Sequence, residues 1–159
     1  MKISSAKWLA TPAVAAALTV AMMASAPAHS DGHEGTPFAV RDNVMHLIGS
    51  HMKHLGDIAK GEAEMDASTL THAQSLQVLS ATVPYLFPEG SMHAMSRAKP
   101  EIWSDWDGFV EVADAFAAAT PGVVAAVESG DAEQIGPALQ AVGRTCGACH
   151  DDYRGPKVE

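Results

Sequence analysis

Cysteine is scarce in this chain, with two among 159 residues. That number excludes a zinc site built from four thiolates, and no suitably spaced histidine pair completes one of mixed type. Basic residues are also few, 10 against 19 acidic ones, for a formal charge of −9. Affinity for nucleic acid or an anionic membrane surface comes from Lys and Arg neutralising phosphates, so this balance argues against both. It leaves room for electrostatic steering towards a basic protein partner. Sustained two-residue alternation in a Val/Ile/Thr-rich run is missing, which argues against strands. Internal repeats and low-complexity segments are missing too.

A long apolar run occurs once, at the start. Lys2 and Lys7 bracket a positive beginning, Trp8 to Met23 is apolar apart from Thr11, Pro12 and Thr19, and Ala26-Pro27-Ala28 has the small-x-small pattern of a cleavage site. The run is short for a membrane span, which needs roughly 20 residues. Residues 1–28 are therefore expected to be a cleaved secretory signal, and 29–159 a single mature domain without a transmembrane segment, exported to the periplasm. Losing Lys2 and Lys7 with no acid takes the formal charge from −9 to −11. A cut after Ser30 also fits. It would expose Asp31-Gly32-His33, where a third-position histidine beside a free amine can chelate copper or nickel; a loose tail is the competing reading.

Four stretches carry helical periodicity. From about Phe38 to Gly61, the residues Met45, Ile48, Met52, Leu55 and Ala59 line one face, opposite His46, Ser50, Lys53 and Asp57. A second helix is expected between Asp66 as N-cap and Pro84, with a less tidy apolar set. A third follows Pro100 through Ile102, Trp106, Phe109, Ala113 and Phe116, continuing past a kink at Thr120-Pro121-Gly122 to about Ser129. In the fourth, Ile135, Leu139, Val142, Cys146, Cys149 and Tyr153 share one stripe, and Pro137 either opens the regular helix or bends it. Amphipathic helices with short connections predict an all-α, antiparallel up-down four-helix bundle.

Both cysteines belong to Cys146-Gly147-Ala148-Cys149-His150, the Cys-x-x-Cys-His attachment signature of haem c. Two thiols one helical turn apart can add to the two porphyrin vinyl groups, and the adjacent histidine then supplies the proximal iron ligand. A thioredoxin-like pair would need a strand–helix setting, and a disulfide between residues three apart in a helix is geometrically poor. Export agrees with the haem reading, because haem of this type is attached outside the cytoplasm.

In such a bundle the start of helix one, the end of helix four and the connection between helices two and three share one end. Met45, about two turns into helix one, lies at a depth comparable to His150 at roughly 1.5 Å per residue. It is a candidate sixth iron ligand, with ordinary core packing as the competing reading. Met52 is seven residues deeper. Met92, His93 and Met95 belong to the loop, where a solvated state is expected, and His46, His51, His54 and His72 read as surface residues. Arg41 and Arg154 could each pair with a haem propionate or modulate the iron.

Val142-Gly143-Arg144-Thr145-Cys146, Cys149-His150-Asp151-Asp152-Tyr153-Arg154, Arg41 with Met45, Ile58-Ala59-Lys60-Gly61, Leu86-Phe87-Pro88 and Pro100-Glu101-Ile102-Trp103 resemble the class II cytochromes c, the cytochrome c′ family. The resemblance spans essentially the whole mature chain. It implies haem on Cys146 and Cys149, His150 as proximal ligand, Arg41 at a propionate and Arg154 beside the proximal histidine. High-spin members keep a non-ligating residue at the position of Met45 and bind nitric oxide or carbon monoxide. A low-spin branch places a ligating methionine there and resembles a set of electron carriers. Methionine at this position puts a non-enzymatic electron carrier working with redox partner proteins first, with His150/Met45 ligation, and the gas binder second. The resemblance also admits a homodimer through helices one and two.

Overall fold

The computed structural model describes residues 35–157, all helix and connections apart from one isolated bridge. The expected signal segment and the Asp31-Gly32-His33 tail lie outside the described residues.

Helix α1 spans Pro37–Ala59. Thr36 caps it with an extended backbone and an Oγ1 that accepts from the Ala39 N–H at 3.2 Å, and Pro37 takes the first turn, where a missing N–H costs nothing. Gly61, at φ +73°, ends it in the left-handed conformation that glycine adopts without steric cost. Helix α2 runs Thr69–Thr82 and continues as a 3-10 turn over Val83–Leu86. The expected cap, Asp66, does not cap the helix directly. Its Oδ1 accepts from the backbone N–H of Ser68 at 2.8 Å, a local turn that delays the start to Thr69. Pro84 does not stop the chain abruptly either, because a proline at the second position of a 3-10 turn loses no needed donor.

The third stretch is broken twice. Helix α3 is a single turn, Glu101–Ser104, ended by Asp105 at φ −127°, ψ 55°. Helix α4 covers Trp106–Ala119, and α5, Pro121–Glu128, follows the expected kink. Thr120 at the kink is fully buried, and its hydroxyl is satisfied by the Ala117 carbonyl at 2.8 Å and by Ser80 of α2 at 3.2 Å. By length and composition, Trp106–Glu128 could cross a membrane, at a mean hydropathy of 1.5. Here Phe109, Ala113, Phe116, Val123, Ala126 and Val127 are buried in the bundle, and Asp107, Glu111 and Asp114 face outward. The apolarity comes from this buried face together with the alanines.

Helix α6 runs Ala132–Tyr153 from an Asp131 cap, with Pro137 inside it. The four helical columns pack in a square. α1 lies against α2 and α6, and the α4–α5 column lies against α2 and α6, with no direct packing across either diagonal among the described residues. Leu55, Leu76, Phe109, Ile135 and Val142 fill the centre, each at most 1% exposed. Burying a side chain of this size stabilises by about 1.5–3 kcal/mol.

Candidate functional site

Cys146 and Cys149 lie one turn apart on α6, half-buried against the core. Burial pushes both thiols up from their ordinary pKa. Together with His150 they line a cavity of about 790 Å³ at the end of the bundle. That volume falls within the ~300–1,000 Å³ range of sites that take a ligand of drug size. Met45, Met52, Phe87 and Phe116 also face it. Two thiols at helical spacing, a neighbouring imidazole and an apolar chamber fit a covalently held haem.

The imidazole of His150 is held below its usual pKa, first by burial and then by the positive charges of Arg154 and Arg97, with Asp151 opposing. A neutral ring is the form that offers a nitrogen lone pair to a metal. Met45, His150 and both cysteines thus share one cavity, as the bundle topology predicted. Met52 also reaches it, despite its greater depth along α1.

Arg41 lines the cavity and is also tied into the neighbouring loop. It is 4% exposed, and its guanidinium lies 4.7 Å from the Phe87 ring centre. Nη1 donates to the Leu86 carbonyl at 3.1 Å and to Ser91 Oγ at 3.4 Å, while Nη2 donates to the Ser91 carbonyl at 3.3 Å and to Ser96 Oγ at 3.2 Å. Both terminal nitrogens therefore fasten the 87–100 loop, although the residue still lines the cavity. Desolvation lowers its pKa, and the neighbouring Asp42 partly offsets this. Arg154 is exposed at the cavity rim, and its backbone forms an antiparallel bridge with Ala98.

That bridge belongs to a clasp that sequence reasoning missed. The Lys99 N–H donates to the Tyr153 carbonyl at 3.0 Å, and the Gly155 N–H donates to the Arg97 carbonyl at 2.7 Å. Arg97 Nε in turn donates to the Gly155 carbonyl at 2.9 Å. The loop is solvated at its two methionines, as expected, but its C-terminal part is tied to the end of α6. Met92 and Met95 are exposed, but Met95 borders the cavity and His93 stacks on Phe38 at 4.5 Å. Tyr153 donates its hydroxyl proton to Asp105 at 2.8 Å, which pushes the phenol up to about 12. Gly108 makes room for this pair, since a Cβ there would meet the Tyr153 oxygen at 2.8 Å. No periodicity flags such a pairing, because it joins residues 48 positions apart.

Three of the four histidines of α1 and α2 depart from expectation. His46 is exposed, but His51, His54 and His72 are half-buried together between the two helices.

A family model described as cytochrome C′ matches residues 36–154. The cytochrome c′ of Pararhodospirillum photometricum is 36% identical over 115 residues, covering 72% of this chain and 92% of the relative. A cytochrome c-556 of Agrobacterium tumefaciens (strain II Chrys) is 34% identical over 115 residues, covering 72% and 93%. A nitric oxide complex of a cytochrome c prime variant from Alcaligenes xylosoxidans superposes at a TM-score of 0.69 with 32% identity, over 77% of this chain and 98% of that one. The chain therefore belongs to the cytochrome c′ family and carries one covalently bound haem c.

Proposed function

We propose that this chain is an exported gas-binding cytochrome, taking nitric oxide or carbon monoxide at a five-coordinate haem in a pocket that Met45 walls. The observation that carries this reading is the likeness, at 32% identity over 98% of its length, to a relative solved as a nitric oxide complex. This reverses the order of preference drawn from Met45 alone. Haem c, held here by Cys146, Cys149 and His150, would supply an iron able to bind a small gas and to exchange one electron.

The chain's own residues do the rest. Cys146 and Cys149 anchor the group, and His150, kept neutral by burial and the nearby arginines, serves as the proximal ligand. Phe87, Met45, Met52 and Phe116 present apolar surface that favours a small uncharged molecule over water or anions. Arg154, exposed at the rim, is the better placed partner for a propionate. Arg41 contributes charge nearby while its terminal nitrogens hold the loop. Residues 1–28 direct export to the periplasm, and 29–159 form the working domain. Exposed Val40 and Leu47 on α1 and Val78 on α2 support a homodimer through those helices, which light scattering would test.

A second reading keeps Met45 as a ligand in a low-spin electron carrier that serves redox partner proteins. Its support is that Met45 shares the cavity with His150, and that a cytochrome c-556 is as similar as most of the cytochromes c′. The deciding experiment is the optical spectrum of the reduced protein before and after carbon monoxide. A shift on adding the gas is expected. An unchanged spectrum would hand the function to the electron carrier.

A further inference from the structure

Away from the haem cavity, His51 of α1 and His72 of α2 meet with their Nδ1 atoms 2.9 Å apart and their rings at 67°. His54, one turn beyond His51, stacks on His72 with ring centres 4.0 Å apart, and its Nε2 is buried without a hydrogen-bond partner. Three imidazoles thus crowd one seam between two helices, and the haem needs none of them.

Two Nδ1 atoms this close must share something, either one proton or one cation. Imidazole nitrogens bind transition metals at about 2.0–2.1 Å. At that bond length, a separation of 2.9 Å subtends an angle of about 90° at the metal. A tetrahedral centre would need the nitrogens roughly 3.3–3.4 Å apart at the same bond length. The pair therefore matches two adjacent positions of a tetragonal ion better than two of a tetrahedral one. Among the described residues, no three His, Cys, Asp or Glu donors converge on one point. The remaining positions fall to water.

We infer that His51 and His72 form a two-nitrogen chelate across the α1–α2 seam for a tetragonal divalent cation, copper(II) ahead of nickel(II). The order follows the general rise in affinity along the divalent first-row metals to copper, and square-planar or tetragonal nitrogen sites are those that suit Cu(II) and Ni(II). His54 is a positioning residue whose stacked ring orients His72. Burial, followed by the neighbouring imidazoles of His54 and His51, lowers the pKa of His72, while Asp66 opposes.

The test is titration of the haem-loaded full chain with copper(II), read by calorimetry and electron paramagnetic resonance, with glycine as a weak competing chelator. One copper with two-nitrogen coupling in the wild-type spectrum is expected, and this readout needs no substitution. His51→Gln and His72→Gln should each weaken binding at least tenfold while circular dichroism stays unchanged, and His46→Gln, on the exposed face of α1, should leave it unaltered. Copper that survives both glutamine variants and is lost in His33→Gln would belong to the tail and overturn the inference. So would zinc binding tighter than copper, or no binding at all, which would leave the pair a plain N–H···N hydrogen bond.

Discussion

Met45 carries the functional question at the scale of a single residue, because its thioether reaches the haem cavity and can either pack or ligate. Leucine replaces methionine with little change in volume, so Met45→Leu should cost under about 1.5 kcal/mol and leave the bundle folded. Under the gas-binding reading, optical spectra and carbon monoxide affinity of Met45→Leu stay close to wild type. A shift from low-spin to high-spin spectra on that substitution would establish the thioether as a ligand. Gly108 raises a second question at this scale. An alanine Cβ there collides with Asp105 and Tyr153, so Gly108→Ala should break their hydrogen bond. The phenol of Tyr153, pushed up to about 12 in the native chain, should then titrate nearer its ordinary value of 10.0. Ultraviolet titration of tyrosinate reads this directly.

At the scale of elements, the Tyr153–Asp105 bond joins the end of α6 to the break between α3 and α4. The phenol's pKa is raised in the folded chain, so the unfolded chain releases that proton first as pH rises. Stability from this contact is complete below pH 10.0 and is lost as pH approaches about 12. Chemical denaturation across that window should show the decline, and Tyr153→Phe should flatten it. Pro137 is the other informative position. It sits in the second turn of α6, where it removes one intrahelical hydrogen bond, while Ile135 and Leu139 on either side are buried. Packing carries the helix through a residue that propensity disfavours. Pro137→Ala should therefore stabilise the fold by about 2 kcal/mol, the ~3 kcal/mol helix-interior penalty less about 1 kcal/mol for the gain in unfolded-chain entropy. Equilibrium unfolding would measure it.

Taken as a whole, the molecule is a bundle whose open end is a chamber of about 790 Å³. Without its haem, that end has apolar walls facing water. Replacing Cys146 and Cys149 with serine should abolish haem staining after denaturing electrophoresis, and should lower the thermal midpoint by more than either thiol's own packing explains. Haem staining retained in the double variant would overturn the attachment. The 87–100 loop closes the chamber through Arg41 on one side and the clasp between Arg97, Lys99 and the α6 terminus on the other. A loop fixed at both flanks is a wall of the site.

The sequence alone determined the helices, the bundle and the haem attachment, because each is written locally. Periodicity of three and four marks the buried faces, and Cys-x-x-Cys-His needs only the geometry of one helical turn. It also placed Met45 and His150 at a common depth, since rise per residue and up-down connectivity suffice for that. Only the tertiary structure decided which way the guanidinium of Arg41 points, that Tyr153 finds Asp105, and that His51, His54 and His72 meet instead of facing solvent. Those outcomes depend on the rotation of one helix against another. A few degrees of rotation move a flanking side chain between water and a neighbour, at a cost too small for any single-helix pattern to record.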